Sequence, residues 1–171
     1  SIKINSFDSI KEMYNDLEIQ KNEFGDIELG FKTKKIARAF VKMTSKLSVI
    51  YRDERARYSM QFIADILKKI SDDGLIFKED LYGKKESEII DIIEKSKYGD
   101  VFRKWKNATK VTVSKEKPSN VYYVKQSVKV RYIDPLFKGE RMSKCCKIAD
   151  RMIQKNLAYK MDDYIYLYFN F

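Results

Sequence analysis

The sequence contains no histidine, and its two cysteines, Cys145 and Cys146, are adjacent. Protein zinc sites are built mainly from Cys and His side chains, and nucleophiles are most often activated by a histidine, so the chain lacks the residues for both kinds of site. A disulfide between neighbouring cysteines would be strained. A chain whose only two cysteines are poorly placed for a disulfide fits a reducing compartment, and we predict a cytoplasmic location. No segment approaches the roughly 20 apolar residues that a membrane-spanning helix needs.

Other catalytic patterns are missing as well. Neither the dinucleotide-binding pattern GxGxxG nor the phosphate-loop pattern GxxxxGK[ST] occurs. The paired carboxylates are direct neighbours in sequence: Asp72 with Asp73, Glu79 with Asp80, and Asp162 with Asp163. Neighbouring side chains diverge on a helix or a strand, so these pairs do not form the facing acid and base of a hydrolase. We therefore predict no catalytic residue, no metal site and no cofactor in this chain.

The residues that are present predict a folded chain with an uneven charge. The 171 residues include 44% hydrophobic and 13% aromatic side chains, enough to order a globular core despite 35% charged residues. The net charge is +10, and residues 101–132 carry nine basic residues and one acidic residue. Because the chain opens on Ser1 and not on methionine, we expect it to be part of a longer protein.

Apolar residues in the first hundred positions recur at intervals of three and four, the period of a helix with one buried side. The pattern predicts five helices: one starting near Asp8 or Ser9, one from Thr33 to Tyr51, one capped by Asp53 and ended by Asp73 and Gly74, and shorter ones near Ser87–Lys95 and Trp105. We expect the two long helices to form a hairpin, with Phe62 and Ile66 in the core. The stretch around Ile27 and Leu29 fits either a strand or an extended linker.

The period changes to alternation after residue 108, which indicates β-structure. Two antiparallel strands are predicted at Lys110–Ser114 and Val121–Tyr132, followed by a helix capped by Ser143 and an aromatic strand at Tyr164–Phe171. The predicted fold is α+β. Residues 1–108 form a mainly helical part, and residues 109–171 form a small antiparallel sheet with one further helix, packed with the first part as one unit.

The second predicted strand carries the candidate ligand site. Alternation places Lys125, Lys129 and Arg131 on one face, about 7 Å apart at each step of two residues, which suits the phosphates of a nucleotide or nucleic acid. The alternative interpretation is a solvated, lysine-rich strand face. Tyrosines 164, 166 and 168 could likewise supply a surface for base stacking, or form a strand buried on both sides.

Several segments resemble the region that follows the catalytic domain in HD-domain phosphohydrolases, in the branch that includes the deoxynucleoside-triphosphate triphosphohydrolases. The matching segments span most of residues 31–140 and are these: Leu47-Ser48-Val49-Ile50-Tyr51 with Arg52-Asp53-Glu54-Arg55, Glu79-Asp80-Leu81-Tyr82 before Glu88-Ile89-Ile90, and Lys129-Val130-Arg131-Tyr132-Ile133-Asp134-Pro135-Leu136.

The resemblance implies an accessory and assembly lobe of a metal-dependent phosphohydrolase, inactive alone. Its partners would be the missing HD domain, which holds the divalent metal, and further copies in an oligomer. Tyr51 matches a tyrosine near the family's nucleotide pocket, and Lys125, Lys129 and Arg131 would hold a regulatory nucleotide or nucleic acid. Leu47 and Met43 stand where some nucleotide-hydrolysing members have polar phosphate-contacting residues. Two other interpretations remain: an independent nucleic-acid-binding module and a structural interaction domain.

Overall fold

The computed structural model describes residues 7–171. Its helices are α1 (Phe7–Asn15), α2 (Lys34–Ile50), α3 (Glu54–Asp72), α4 (Asp80–Gly83), α5 (Glu86–Lys95), α6 (Gly99–Asn107), α7 (Met142–Cys145) and α8 (Lys147–Leu157). Its strands are β1 (Leu17–Lys21), β2 (Ile27–Phe31), β3 (Thr112–Ser114), β4 (Tyr123–Val124), β5 (Leu136–Phe137), β6 (Glu140–Arg141) and β7 (Tyr164–Tyr166). The α+β fold class is confirmed, and no described helix is both long and apolar enough to cross a membrane.

The chain divides into two compact units that are interleaved in sequence. Unit 1 contains the described residues up to Arg52 together with Lys129–Lys160, and unit 2 contains Asp53–Val128 and Met161–Phe171. This division differs from the predicted boundary at residue 108. Each unit has its own buried apolar cluster.

Unit 1 contains a four-stranded sheet in the order β1-β2-β5-β6. The segment around Ile27 and Leu29 is a strand, because β2 pairs antiparallel with β1 from Leu17↔Phe31 to Lys21↔Ile27. Gly25 has a φ of +87° in the connecting turn, a conformation that glycine adopts without strain. β2 also pairs in parallel with β5.

Two neighbouring helices complete the core of unit 1. Ala37 and Val41 of α2 are buried with Ala149 and Ile153 of α8. Near their N-terminal ends, Lys34 Nζ of α2 donates at 2.5 Å to the carbonyl oxygen of Cys145, the residue just before the N-cap of α8. Their C-terminal ends meet at the buried Arg52, whose guanidinium donates to the Asn156 backbone and side-chain oxygens, each at 2.7 Å. The two helices therefore run side by side in the same direction.

Unit 2 is organised around α3, and its sequence pattern predicted this helix well. The Asp53 carboxylate accepts from the Ala56 amide at 2.9 Å, which confirms the predicted N-cap. Phe62 and Ile66 are fully buried, as predicted. The α3 C-cap is Asp73, and Gly74 follows with a φ of +74°. α2 and α3 are consecutive long helices, but each contributes to the core of its own unit.

The prediction of a long strand at Val121–Tyr132 is wrong. β4 contains only Tyr123 and Val124, which pair with Tyr166 and Ile165 of β7. Beyond Val124 the backbone is bound by side chains: Arg57 Nη1 donates to the Gln126 carbonyl oxygen at 2.7 Å, and Ser48 Oγ donates to that of Arg131 at 2.8 Å.

Two related predictions also need correction. The sheet of unit 2 has the order β3-β7-β4, so β3 and β4 do not pair with each other, and both run antiparallel to β7. The aromatic strand predicted for Tyr164–Phe171 ends at Tyr166. Ser143 does not cap α8, whose N-cap is Cys146; the amide and hydroxyl of Ser143 instead donate to the Asp134 carboxylate.

Candidate nucleic-acid interface

The structure separates the three cations that the sequence placed on one strand face. Lys125 follows β4 in unit 2, whereas Lys129 and Arg131 belong to unit 1. All three side chains are exposed. They do not form a single strand face, so the regular spacing of about 7 Å does not apply to them. Tyr51, the C-cap of α2, is 67% exposed.

The strongest concentration of positive charge in unit 1 follows α2. Residues 31–52 contain seven basic residues and no acidic residue. Four of these cations, Lys34, Arg38, Lys42 and Lys46, recur at intervals of four, so they lie along one side of the helix about 6 Å apart. All four are exposed.

A second row of cations lies on α8. Lys147, Arg151 and Lys155 also recur at intervals of four, and all three are exposed. Because α8 packs beside α2, the two rows belong to neighbouring helices. We call these seven residues the basic helix surface: Lys34, Arg38, Lys42, Lys46, Lys147, Arg151 and Lys155.

The basic helix surface has no internal charge compensation. Among the ion pairs of residues 7–171, none involves any of its seven cations. Like charges four apart on a helix destabilise it by about 0.2–0.5 kcal/mol per pair. A bound polyanion would relieve this repulsion. The hydrogen bond from Ser48 to Arg131 also holds the backbone of Arg131 against α2.

The acidic residues of unit 1 are concentrated elsewhere. Residues 8–30 hold seven acidic and two basic residues. Arg141 pairs with Glu28 through both guanidinium ends, at 2.7 and 2.8 Å. The guanidinium is the largest influence that lowers the pKa of Glu28, and an Asn22 hydrogen bond adds to it. This pair borders a cavity of about 420 Å³ between α1, the β1–β2 hairpin and α2, whose other walls are mainly apolar.

No group of three or more Cys, Asp or Glu residues within 7–171 is placed to hold a metal ion. Asp162 and Asp163 both bind Lys115, at 3.0 and 2.6 Å. Burial raises the pKa of the Cys145 thiol, which lowers its fraction of reactive thiolate at neutral pH.

No family model, curated protein or solved structure matches the chain. The relationship to HD-domain phosphohydrolases therefore stays a prediction that rests on the sequence segments.

Sequence reasoning missed the basic helix surface. Its signal is present as two runs of cations at intervals of four, but such a run is also what the solvent-exposed side of any amphipathic helix carries. What the sequence could not provide was the pairing of α2 with α8.

Proposed function

We propose that this chain is an accessory lobe that binds the phosphate backbone of nucleic acid through the basic helix surface. The observation that supports this proposal most directly is the pair of cation rows on two packed helices. The seven side chains are exposed and have no ion-pair partners among the described residues. Exposed Lys and Arg side chains neutralise phosphates and release counterions, which drives binding without sequence preference. Successive cations in each row are about 6 Å apart along the helix axis, which is close to the distance between successive phosphates of one nucleic-acid strand.

A charge-reversal variant tests this proposal. Replacing Arg38, Lys42 and Arg151 with Glu reverses three cations of the surface, none of which contributes a buried side chain. Fluorescence anisotropy with a labelled duplex and a labelled single strand should show strong loss of binding. If three phosphate contacts are lost, the slope of log K against log salt should become shallower by about 2.7 for the duplex.

A matched control separates local from overall charge. Lys78, Lys85 and Lys104 are exposed cations of unit 2, and replacing them with Glu changes the net charge by the same amount. This control variant should retain most of the affinity. Equal weakening in both variants would mean that net charge alone drives binding and would contradict the proposed surface.

The same proposal includes the role suggested by the family resemblance. As an accessory and assembly lobe of an HD-domain phosphohydrolase, the chain would leave the metal and the chemistry to the missing HD part of its parent. The free thiols of Cys145 and Cys146 support the predicted cytoplasmic location. An upstream His…His-Asp…Asp pattern in the parent gene is expected. A parent gene without it would remove the family assignment but leave the basic helix surface untouched.

An exposed apolar face supports the assembly part of this role. Ile19, Ile27 and Leu29 lie on one face of the β1–β2 hairpin and are 75%, 70% and 64% exposed. β1 is also an edge strand of its sheet, and edge strands readily pair with other chains. Sedimentation velocity of the purified chain should detect self-association that Ile19→Lys abolishes. A monomer at all concentrations would exclude self-assembly through this face.

A further inference from the structure

The three-stranded sheet of unit 2 has two unlike faces. One face carries Ile165 and Val124, which are buried in the core around α3. On the other face Tyr123 and Tyr164 pack edge to face, with ring centroids 5.4 Å apart. Tyr166 lies on this second face because it is two residues beyond Tyr164 on β7.

These tyrosines are not part of the apolar core. Tyr58, Tyr98 and Tyr122 belong to the core cluster of unit 2, whereas tyrosines 123, 164, 166 and 168 do not. Tyr168 packs edge to face on Tyr166 at 5.5 Å and is 78% exposed. We call these four residues the tyrosine face: Tyr123, Tyr164, Tyr166 and Tyr168.

Lysine side chains accompany the rings. Lys125 Nζ lies 4.3 Å from the centroid of Tyr164, and Lys117 Nζ lies 5.4 Å from that of Tyr123. The nearby carboxylates of Asp162 and Asp163 are paired with Lys115. An anion that approaches the tyrosine face therefore meets the ammonium groups of two exposed lysines, and the carboxylates of Asp162 and Asp163 are already paired.

We infer that the tyrosine face stacks the unpaired bases of single-stranded nucleic acid, while Lys117 and Lys125 contact the adjacent phosphates. This inference rests on the proposed function and assigns it a second contact surface, in unit 2. Aromatic rings beside cations bind single strands with little sequence preference, because every base has a flat face. Tyr164 and Tyr166, two residues apart on β7, stand about 7 Å apart along the strand, so each would receive one base of an extended nucleic-acid strand.

An abasic ligand separates stacking from phosphate binding. The full chain is titrated with a labelled thymidine oligomer of about twelve nucleotides, with the matching uridine oligomer, and with a deoxyribose-phosphate oligomer of equal length that lacks bases. The thymidine oligomer should bind at least about tenfold tighter than the abasic one, as one or two stacked bases would give. The uridine arm shows whether RNA is accepted as well.

Two variants locate the effect. Tyr164→Leu with Tyr168→Leu removes two rings and should bring the thymidine affinity down to the abasic level. Tyr164→Phe with Tyr168→Phe keeps the rings and should retain the preference. Reversal of Arg38, Lys42 and Arg151 should weaken both ligands by a similar factor.

The outcomes distinguish the two proposals. Equal affinity of the wild type for base-bearing and abasic oligomers, or a preference that survives the leucine variant, overturns stacking but leaves phosphate binding intact. Loss of abasic binding in the wild type overturns the proposed function. A direct readout covers that case: with 3-fluorotyrosine incorporated, thymidine monophosphate should shift the fluorine resonances of Tyr164 and Tyr168. Unchanged resonances overturn the tyrosine face as a base-binding site. The same conclusion follows if these resonances shift with a proline-rich peptide but not with thymidine monophosphate.

Discussion

The truncation of Ile66 to alanine probes the core of unit 2. Ile66 has no exposed surface and lies in one cluster with Phe62, which is also fully buried. The substitution removes three buried carbon groups at about 0.8 kcal/mol each, a transfer contribution of about 2.4 kcal/mol. The cavity that remains adds to this, so the total loss should fall within about 2 to 5 kcal/mol. Ile66→Val removes one carbon group and should cost about 0.5 to 1.5 kcal/mol.

The assay is urea unfolding followed by tryptophan fluorescence. Trp105, the sole tryptophan, stacks on Phe62 with ring centroids 5.3 Å apart, so its emission reports this core. Met60 lies on the same helix, is 52% exposed, and provides the matched control. Met60→Ala should change the unfolding free energy by no more than about 0.5 kcal/mol. If Ile66→Ala were as mild as Met60→Ala, the assignment of the buried side of α3 would be refuted.

Three further predictions concern a cap, an ion pair and catalysis. Asp53→Ala should destabilise unit 2 by about 0.5–2 kcal/mol because the Ala56 amide loses its acceptor, whereas Asp53→Asn should retain most of the stability in the same urea assay. The carboxyl of Glu28 should titrate by NMR below its ordinary value of 4.5, and Arg141→Met should raise that midpoint. Because the pKa of Glu28 is lower in the folded state, the stability from this pair is present above the unfolded-state pKa and is lost as pH falls through the folded-state pKa. An unshifted NMR midpoint would argue against the pairing. The purified chain should hydrolyse no nucleotide with added manganese or magnesium, and activity that persists through further purification would contradict its accessory role.

The sequence predicted α3 well because everything that defines this helix is local. Its period, the Asp53 cap and the Gly74 stop lie within one stretch of about twenty residues. Strand length depends on distant partners. The alternation from Val121 to Tyr132 is compatible with a strand, but the partner strand β7 lies some forty positions later, and it pairs only with Tyr123 and Val124.

The same distinction applies to the candidate sites. The cations of α2 and of α8 are visible as separate patterns, but the hydrogen bonds that tie the end of α2 to α8 span 104 positions, from Arg52 to Asn156. Lys125 and Tyr164 are likewise brought together by the β4–β7 pairing. Single-sequence patterns define which side of an element is polar, and tertiary packing decides which polar sides become neighbours.

The most direct test of the account is the salt dependence of duplex binding for the wild type, the variant with Arg38, Lys42 and Arg151 reversed, and the unit 2 control with Lys78, Lys85 and Lys104 reversed. Anisotropy titrations between about 50 and 200 mM salt give the slope of log K against log salt for each protein. The account predicts a steep slope for the wild type and the control, and a slope shallower by about 2.7 for the reversed surface. Identical slopes and affinities for all three proteins would show that the basic helix surface does not hold nucleic acid.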